Sequence, residues 1–149
     1  MNLLPRRCTL AIAAVVDIAL HARPLPVAAK ALAERHNLPP RHLESLLQAL
    51  VRADILKGVR GPRGGYELAR ERRRISAGEI VRAVLNGNSE DQQGNLESRL
   101  TREVILPVAS AASVKMLQEL DSIRVEQLCD EASRTGAFKG NAGSPDFTI

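Results

Sequence analysis

The side chains best suited to chemistry in this 149-residue chain lie on one face of a periodic segment. Over residues 40–52, apolar side chains recur at the spacing of one helix face, at Leu43, Leu46, Leu47, Leu50 and Val51. The other face carries hydrogen-bonding side chains, which are Arg41, His42, Glu44, Ser45 and Gln48. Such groups match base edges in a DNA major groove, with Gln48 suited to adenine, Arg41 to guanine and Glu44 to cytosine.

A second basic group lies in a glycine-rich turn. Two strand-like pieces, Ile55–Arg60 and Tyr66–Arg70, flank the sequence Gly-Pro-Arg-Gly-Gly and predict a β-hairpin. Arg60 and Arg63 then lie at a tip with little side-chain bulk, which suits a narrow, negatively charged minor groove. We count Arg7 as a further candidate DNA contact.

The elements around these residues predict a winged helix-turn-helix. Helices are expected over residues 6–22, 25–36 (with Pro26 in the first turn) and from Pro40 onward. Small residues are expected where the second and third helices cross, and Ala28, Ala29, Ala31 and Ala33 supply them. The sequence Ser76-Ala77-Gly78-Glu79 is a capping box that opens a fourth helix. The fold class is mainly α with a small β-hairpin, followed by a long dimerisation helix.

The C-terminal half has a different character. Residues 87–96 are polar and predict a linker loop that follows a DNA-binding domain over residues 1–86. Apolar residues then recur every four positions over residues 97–120, which predicts a long helix. Pro107 lies inside it and predicts either a kink or a delayed start. A short helix is expected over residues 125–132, so that residues 97–134 form one unit, and residues 135–149 read as a flexible tail.

Charge is divided between the two halves. Residues 1–75 carry 14 Lys or Arg against six Asp or Glu, whereas residues 76–149 carry seven against 11. A basic half indicates a polyanionic partner such as double-stranded DNA. The two cysteines, Cys8 and Cys129, form no disulfide framework, so we expect a reducing cytoplasm. Asp17 interrupts the apolar run after Arg6 and Arg7, which argues against a secretory leader, and we expect no membrane span.

The sequence gives little support for catalysis. The glycine-rich turn lacks the Gly-Lys-Ser/Thr of a phosphate-binding loop and the spacing of a dinucleotide-binding motif. His21, His36 and His42 are not spaced as metal ligands, and no metal site is predicted. Cys8 is either a candidate redox-sensing thiol or a buried, unreactive thiol, and the same two alternatives apply to Cys129. We expect a regulator rather than an enzyme; the alternative is a protein-interaction module that kept the fold and lost DNA binding.

The segment from Val59 to Ala69, with its arginine–glycine turn and Gly-Gly-Tyr-x-Leu, resembles the bacterial Rrf2 family of transcription regulators. The likeness covers about residues 3–133. It implies a homodimer joined through the long helix, with recognition helices in successive major grooves and turn arginines in the minor groove. By position, Glu44 and Arg60 match residues with which the family reads DNA. Arg41 and His42 replace the small and aromatic residues that begin the family's recognition helix.

The chain departs from this family pattern in one important stretch. Iron–sulfur members carry three cysteines between the fourth helix and the long helix, and residues 86–99 contain none. A cluster needs several thiolates in close array. We therefore predict no cluster and no other cofactor; the signal would be a small molecule, a protein partner or a thiol event. Leu10, Pro107 and Asp54 also depart from the pattern, although Asp tolerates the left-handed conformation expected at residue 54.

Overall fold

The computed structural model describes residues 1–86 and 98–137. Its helices, in chain order, are α1 (Arg6–His21), α2 (Ala29–His36), α3 (Pro40–Arg52), α4 (Ala77–Asn86), α5 (Leu106–Asp121) and α6 (Val125–Thr135). Strands β1 (Leu56–Val59) and β2 (Gly65–Leu68) form an antiparallel hairpin, the wing, and a short 3-10 helix follows at Arg72–Arg74. The prediction of a mainly helical chain with one small hairpin is confirmed.

Some sequence predictions fall outside this part of the chain. The predicted linker at residues 87–96 and all but the first residues of the predicted tail lie outside the described residues. Helix α6 runs three residues beyond its predicted end, to Thr135, where Gly136 adopts the left-handed conformation that ends many helices. None of the helices in the described ranges is both long enough and apolar enough to cross a membrane.

Helix α1 lies at the centre of the core. It contacts α3, α4, α6 and β2. Its Cys8, Ala11, Val15 and Ile18 are completely buried. A helix with so few polar positions gains most by removing its apolar side chains from water on several sides, which explains its central place.

Helices α2 and α3 form the helix-turn-helix. Helix α2 ends at Asn37, whose φ of 52° is left-handed and whose N–H bonds to the carbonyls of Ala33 and Glu34. Pro40 lies in the first turn of α3, as predicted, where a missing N–H costs nothing. The leucines of α3 face the core, and Leu47 and Leu50 are fully buried. The polar face predicted for this helix is therefore left toward solvent.

The predicted start of the second helix is wrong. Residues before α2 are extended, and Val27 pairs with Tyr66 of β2 through two backbone hydrogen bonds of 2.9 and 2.8 Å. A β-branched residue after a proline suits extended backbone. The segment at Val27 and strand β2 approach so closely that a Cβ on Gly65 would overlap the Val27 carbonyl. Ala28 consequently precedes α2 and is exposed, so it does not pack at the predicted helix crossing.

Strand β1 is one residue shorter than predicted at each end, and β2 begins one residue earlier and ends two residues earlier than predicted. They pair in register from Leu56 with Leu68 to Val59 with Gly65. Asp54, just before β1, has a φ of 59°, so the left-handed conformation expected there is confirmed. Helix α3 contacts β1, which fixes where the wing stands relative to the helix.

Helix α4 and the C-terminal helices are joined by backbone contacts. The predicted capping box is present: the Glu79 N–H donates to Ser76 Oγ at 3.1 Å, and the Ser76 N–H donates to Glu79 Oε2 at 2.9 Å. The segment between α5 and α6 pairs with the segment before α4 through Ala77 N–H to Ile123 O and Val125 N–H to Ile75 O. This pairing fixes the end of α5 against the DNA-binding half.

Pro107 coincides with the start of α5. A π-helical turn, Thr101–Ile105, directly precedes that helix, and Pro107 lies in its first turn. Proline has no N–H to continue the regular hydrogen-bond ladder, and one wide turn takes up the mismatch. Of the two predicted alternatives, the structure has a delayed start of regular α-helix after an irregular helical turn.

Candidate nucleic-acid interface

The exposed side of α3 is the candidate recognition face. All five of its predicted contacts are exposed, namely Arg41, His42, Glu44, Ser45 and Gln48. Behind them, Leu43 and Leu46 are at most 3% exposed, so the helix cannot rotate about its axis without exposing its leucines. The recognition face is therefore presented at a fixed angle, as reading of base edges requires.

Arg7 lies beside this face. Its Nη1 donates to Ser45 Oγ over 3.4 Å, although the two residues are 38 positions apart. The first turn of α1 thus adjoins the middle of α3. The Nε of Arg7 is buried and has no hydrogen-bond partner within the described residues. The guanidinium is consequently aimed toward α3 rather than folded back on its own helix.

The wing tip presents two further cations. Arg60 and Arg63 are exposed, and neither forms an ion pair with any residue in the described ranges. Gly61, with a φ of 116°, and the Gly64 N–H to Gly61 O bond of 2.9 Å make the tip tight. The wing's own acid is neutralised, because Glu67 pairs with Lys57 at 2.8 Å. The tip is therefore free to contact phosphates and a minor groove.

Comparison with known proteins identifies this arrangement. The family model Rrf2, described as an iron-dependent transcriptional regulator, matches residues 4–131. The chain belongs to the Rrf2 family. It is 38% identical over 129 residues to a Synechocystis protein named as an HTH-type transcriptional regulator, covering 85% of this chain and 87% of that one. It is 30% identical to IscR of Xenorhabdus nematophila over an alignment of 151 positions, gaps included, which covers 93% of this chain and 91% of that protein.

Solved structures agree with that assignment. IscR of T. potens superposes with a TM-score of 0.68 at 29% identity, covering 98% of this chain and 94% of that one. CymR, the global cysteine regulator of B. subtilis, superposes with a TM-score of 0.64 at 28% identity, covering 88% and 98%. The resemblance predicted from the wing sequence is thus confirmed, and the chain is a bacterial DNA-binding transcription regulator of the winged-helix type.

This Rrf2 protein holds α2 in place with a buried charge that sequence reasoning missed. Asp17 of α1 is fully buried, and Arg35 of α2 binds both its oxygens, at 2.9 and 2.6 Å. His36 lies 2.8 Å from Oδ2, and His21 lies 3.1 Å from Oδ1. Burial alone would raise the pKa of Asp17, but hydrogen bonds from His36 and Arg35 outweigh it and lower the pKa to about 2.

The Asp17 cluster left one signal in the sequence. A single acid inside a buried helical run requires partners, because an unpaired buried carboxylate is costly. Arg35 and His36 were the available cations at the end of the next helix. The pairing fixes α2 on α1, and α2 in turn contacts α3. Its role is therefore to position the recognition face rather than to touch DNA.

The two cysteines of the Rrf2 protein lie in the core. Cys8 and Cys129 are both buried and free. Burial raises the pKa of the Cys8 thiol, and the charge of Arg7 offsets this only in part. Burial likewise raises the pKa of Cys129, against the opposing effect of Arg72. Both environments favour the thiol over the reactive thiolate. Among the described residues, no group of three His, Cys, Asp or Glu side chains is placed to hold a metal ion.

Proposed function

We propose that this Rrf2-family regulator acts in the cytoplasm as a homodimer that binds one DNA operator sequence-specifically. The observation that carries the proposal is the exposed polar face of α3 together with the unpaired arginines of the wing, which is held against α3 through β1. The recognition face would read bases in the major groove, and Arg60 and Arg63 would enter the adjoining minor groove. Arg7 would contact the phosphate backbone beside Ser45.

The dimer is proposed from the surface of α5 and the turn before it. Apolar side chains there are exposed at intervals of four residues, with Leu100 63%, Val104 50% and Val108 67% exposed. No residue of α5 is buried within the described part of a single chain. Uncovered apolar surface of this kind favours association. Two antiparallel or crossed copies of α5 would cover each other and set two recognition faces one helical turn of DNA apart.

The regulator is further proposed to work without an iron–sulfur cluster. The family description speaks of iron dependence, but the residues of this chain do not fit such a group. The whole chain has two cysteines, and both lie buried in the helical core rather than between α4 and α5. A cluster needs several thiolates together. The signal would instead be a small molecule, a protein partner or a thiol event, and we propose no enzymatic activity.

A salt titration of operator binding tests the DNA-binding proposal. The full-length protein is titrated against the promoter region of its own gene and against a scrambled duplex of equal length at several salt concentrations. We expect tighter binding to the promoter, with a logarithm of the affinity that falls steeply with the logarithm of salt. Absence of binding to either duplex at low salt would favour the interaction module instead.

The same preparation tests the cofactor proposal. Protein purified without oxygen should show no visible absorbance from a cluster. Strong visible bands that bleach on exposure to air would overturn it. The Cys8→Ala and Cys129→Ala variants serve as controls, because a cluster held by either thiol would lose its bands in that variant alone.

A further inference from the structure

An open groove separates the wing from the C-terminal helices. Its volume is about 830 Å³, and it is lined by the end of α1, by β2 with the segment after it, and by the first turn of α6. Ala19, Ala22 and Leu68 give it an apolar surface. Its size lies in the range of about 300–1,000 Å³ found for small-molecule sites. It lies apart from the recognition face and from the apolar side of α5.

Most charges around the groove neutralise each other. Arg73 pairs with Glu71 at 2.5 Å, Arg70 pairs with Glu79 at 3.2 Å, and Glu67 is held by Lys57. These groups are therefore already engaged. Their pairing removes the rim acids that would otherwise oppose an anion most strongly.

Two cations in the lining have no carboxylate partner. Within the described residues, neither Arg23 nor Arg72 forms an ion pair, and Arg72 lies near enough to Cys129 to oppose the rise in the pKa of that thiol. Glu126, in the first turn of α6, also lacks an ion pair. The groove thus combines an apolar surface, two available guanidinium groups and one available carboxylate. Guanidinium binds carboxylate with paired hydrogen bonds of favourable geometry.

We propose that this groove binds a small organic monoanion, an aliphatic or aromatic carboxylate whose head contacts Arg23 and Arg72. Polyphosphates and nucleotides are disfavoured, because two guanidinium groups would not balance several negative charges and the unpaired carboxylate of Glu126 would repel them. A neutral ligand would leave the two arginines unused. The ligand's apolar body would lie against α1 and β2.

The position of the groove gives this ligand a regulatory role, which rests on the proposed function. Strand β2 forms part of the wing, and α6 follows α5, the helix proposed to join the dimer. A ligand that touches both elements binds one relative arrangement of wing and C-terminal helices better than another. It can therefore change the affinity for the operator, by at most the ratio of the ligand's own affinities for the two arrangements.

The binding step is tested without DNA. Octanoate is titrated into the full-length protein by calorimetry, and octanol serves as the uncharged probe. The Arg23→Gln/Arg72→Gln double variant should weaken octanoate binding about tenfold or more, since two charge-assisted contacts are lost. Glu126→Gln should tighten it about twofold, by removing repulsion. Arg74→Gln is the matched control, an exposed arginine of the same 3-10 helix that does not line the groove.

Each result decides the proposal. It is overturned if octanoate shows no saturable binding at millimolar concentration, if octanol binds as tightly, or if the double variant binds octanoate as the parent does. Circular dichroism of each variant checks that the fold is retained. In a second arm, saturating octanoate should change operator affinity at least about threefold in the parent and not in the double variant. If octanoate binds and operator affinity stays constant, the regulatory role fails while the site stands. Absence of operator binding both without and with octanoate would instead refute the proposed function.

Discussion

Helices α3 and α5 carry similar apolar patterns with opposite outcomes. The leucines of α3 are covered by their own chain, and its polar face meets solvent together with Val51 alone of the predicted apolar positions. Most apolar residues of α5 meet solvent; Leu117 and Leu120 near its end are partly buried, and none is fully buried within one chain. A single chain thus covers the apolar side of α3, the proposed recognition helix, and leaves the apolar side of α5 exposed for the proposed dimer. The position of α3 should therefore depend on intramolecular packing, and that of α5 on protein concentration.

The largest effect is expected from opening the core behind α3. Leu47→Ala removes a fully buried side chain and should lower the free energy of unfolding by about 3 kcal/mol, through lost transfer energy and the cavity left behind. The loss should be the same at every protein concentration. Urea denaturation at two concentrations measures it. Val108→Ala is the control, and its smaller loss should vary with concentration because the residue is expected to act through the dimer. If the loss of stability depended on protein concentration equally in both variants, the proposed difference between α3 and α5 would be wrong.

A charge placed on α5 should separate the two subunits. Val108→Lys, at a position 67% exposed in one chain, should weaken dimerisation about thirtyfold or more, because the dimer would bury an unpaired ammonium group. Sedimentation velocity over a dilution series measures the change. Ser110→Lys is the matched control, since it is exposed on the same helix but turned about 200° away. A dimer that tolerates Val108→Lys as well as Ser110→Lys would mean that the two chains meet elsewhere.

The contrast also explains what the sequence could predict. The periodicity of α3 is local information, and it was sufficient to place both the leucines and the recognition face. The start of α2 depended on the pairing of Val27 with Tyr66, a contact with a distant strand, so the favourable position of Pro26 in a helix was a misleading local signal. The partners of Asp17 lie 18 and 19 residues away. Strand-like pieces on either side of a glycine-rich turn were sufficient to predict the wing, but no local pattern predicted these tertiary contacts.

The Asp17 cluster should make the support of α3 sensitive to acid. Its pKa is lowered to about 2 from an ordinary 3.8, so its stabilising effect is complete above about pH 4 and is lost as the pH falls toward 2. That difference corresponds to about 2 kcal/mol. Asp17→Asn should therefore be less stable than the parent at pH 6, with the gap narrowing by about that amount at pH 2. Urea unfolding at both pH values measures it, and Asp130→Asn, on the exposed side of α6, is the control. A gap that stays constant with pH would show that Asp17 is not held as an anion.

The smallest change in free energy is expected at the wing tip, and it tests whether the face built by one chain reads sequence. Arg60→Ala removes an exposed cation with no partner in the described residues, so folding should be unaffected while operator affinity falls about tenfold. The measurement compares binding to the operator and to a scrambled duplex at one salt concentration. Arg134→Ala is the control, because that arginine lies on α6 and is paired with Glu131. An equal loss of affinity for both duplexes would make Arg60 a phosphate contact. No loss for either duplex would mean that the wing does not contact DNA, and the interface would then consist of the recognition face of α3 alone.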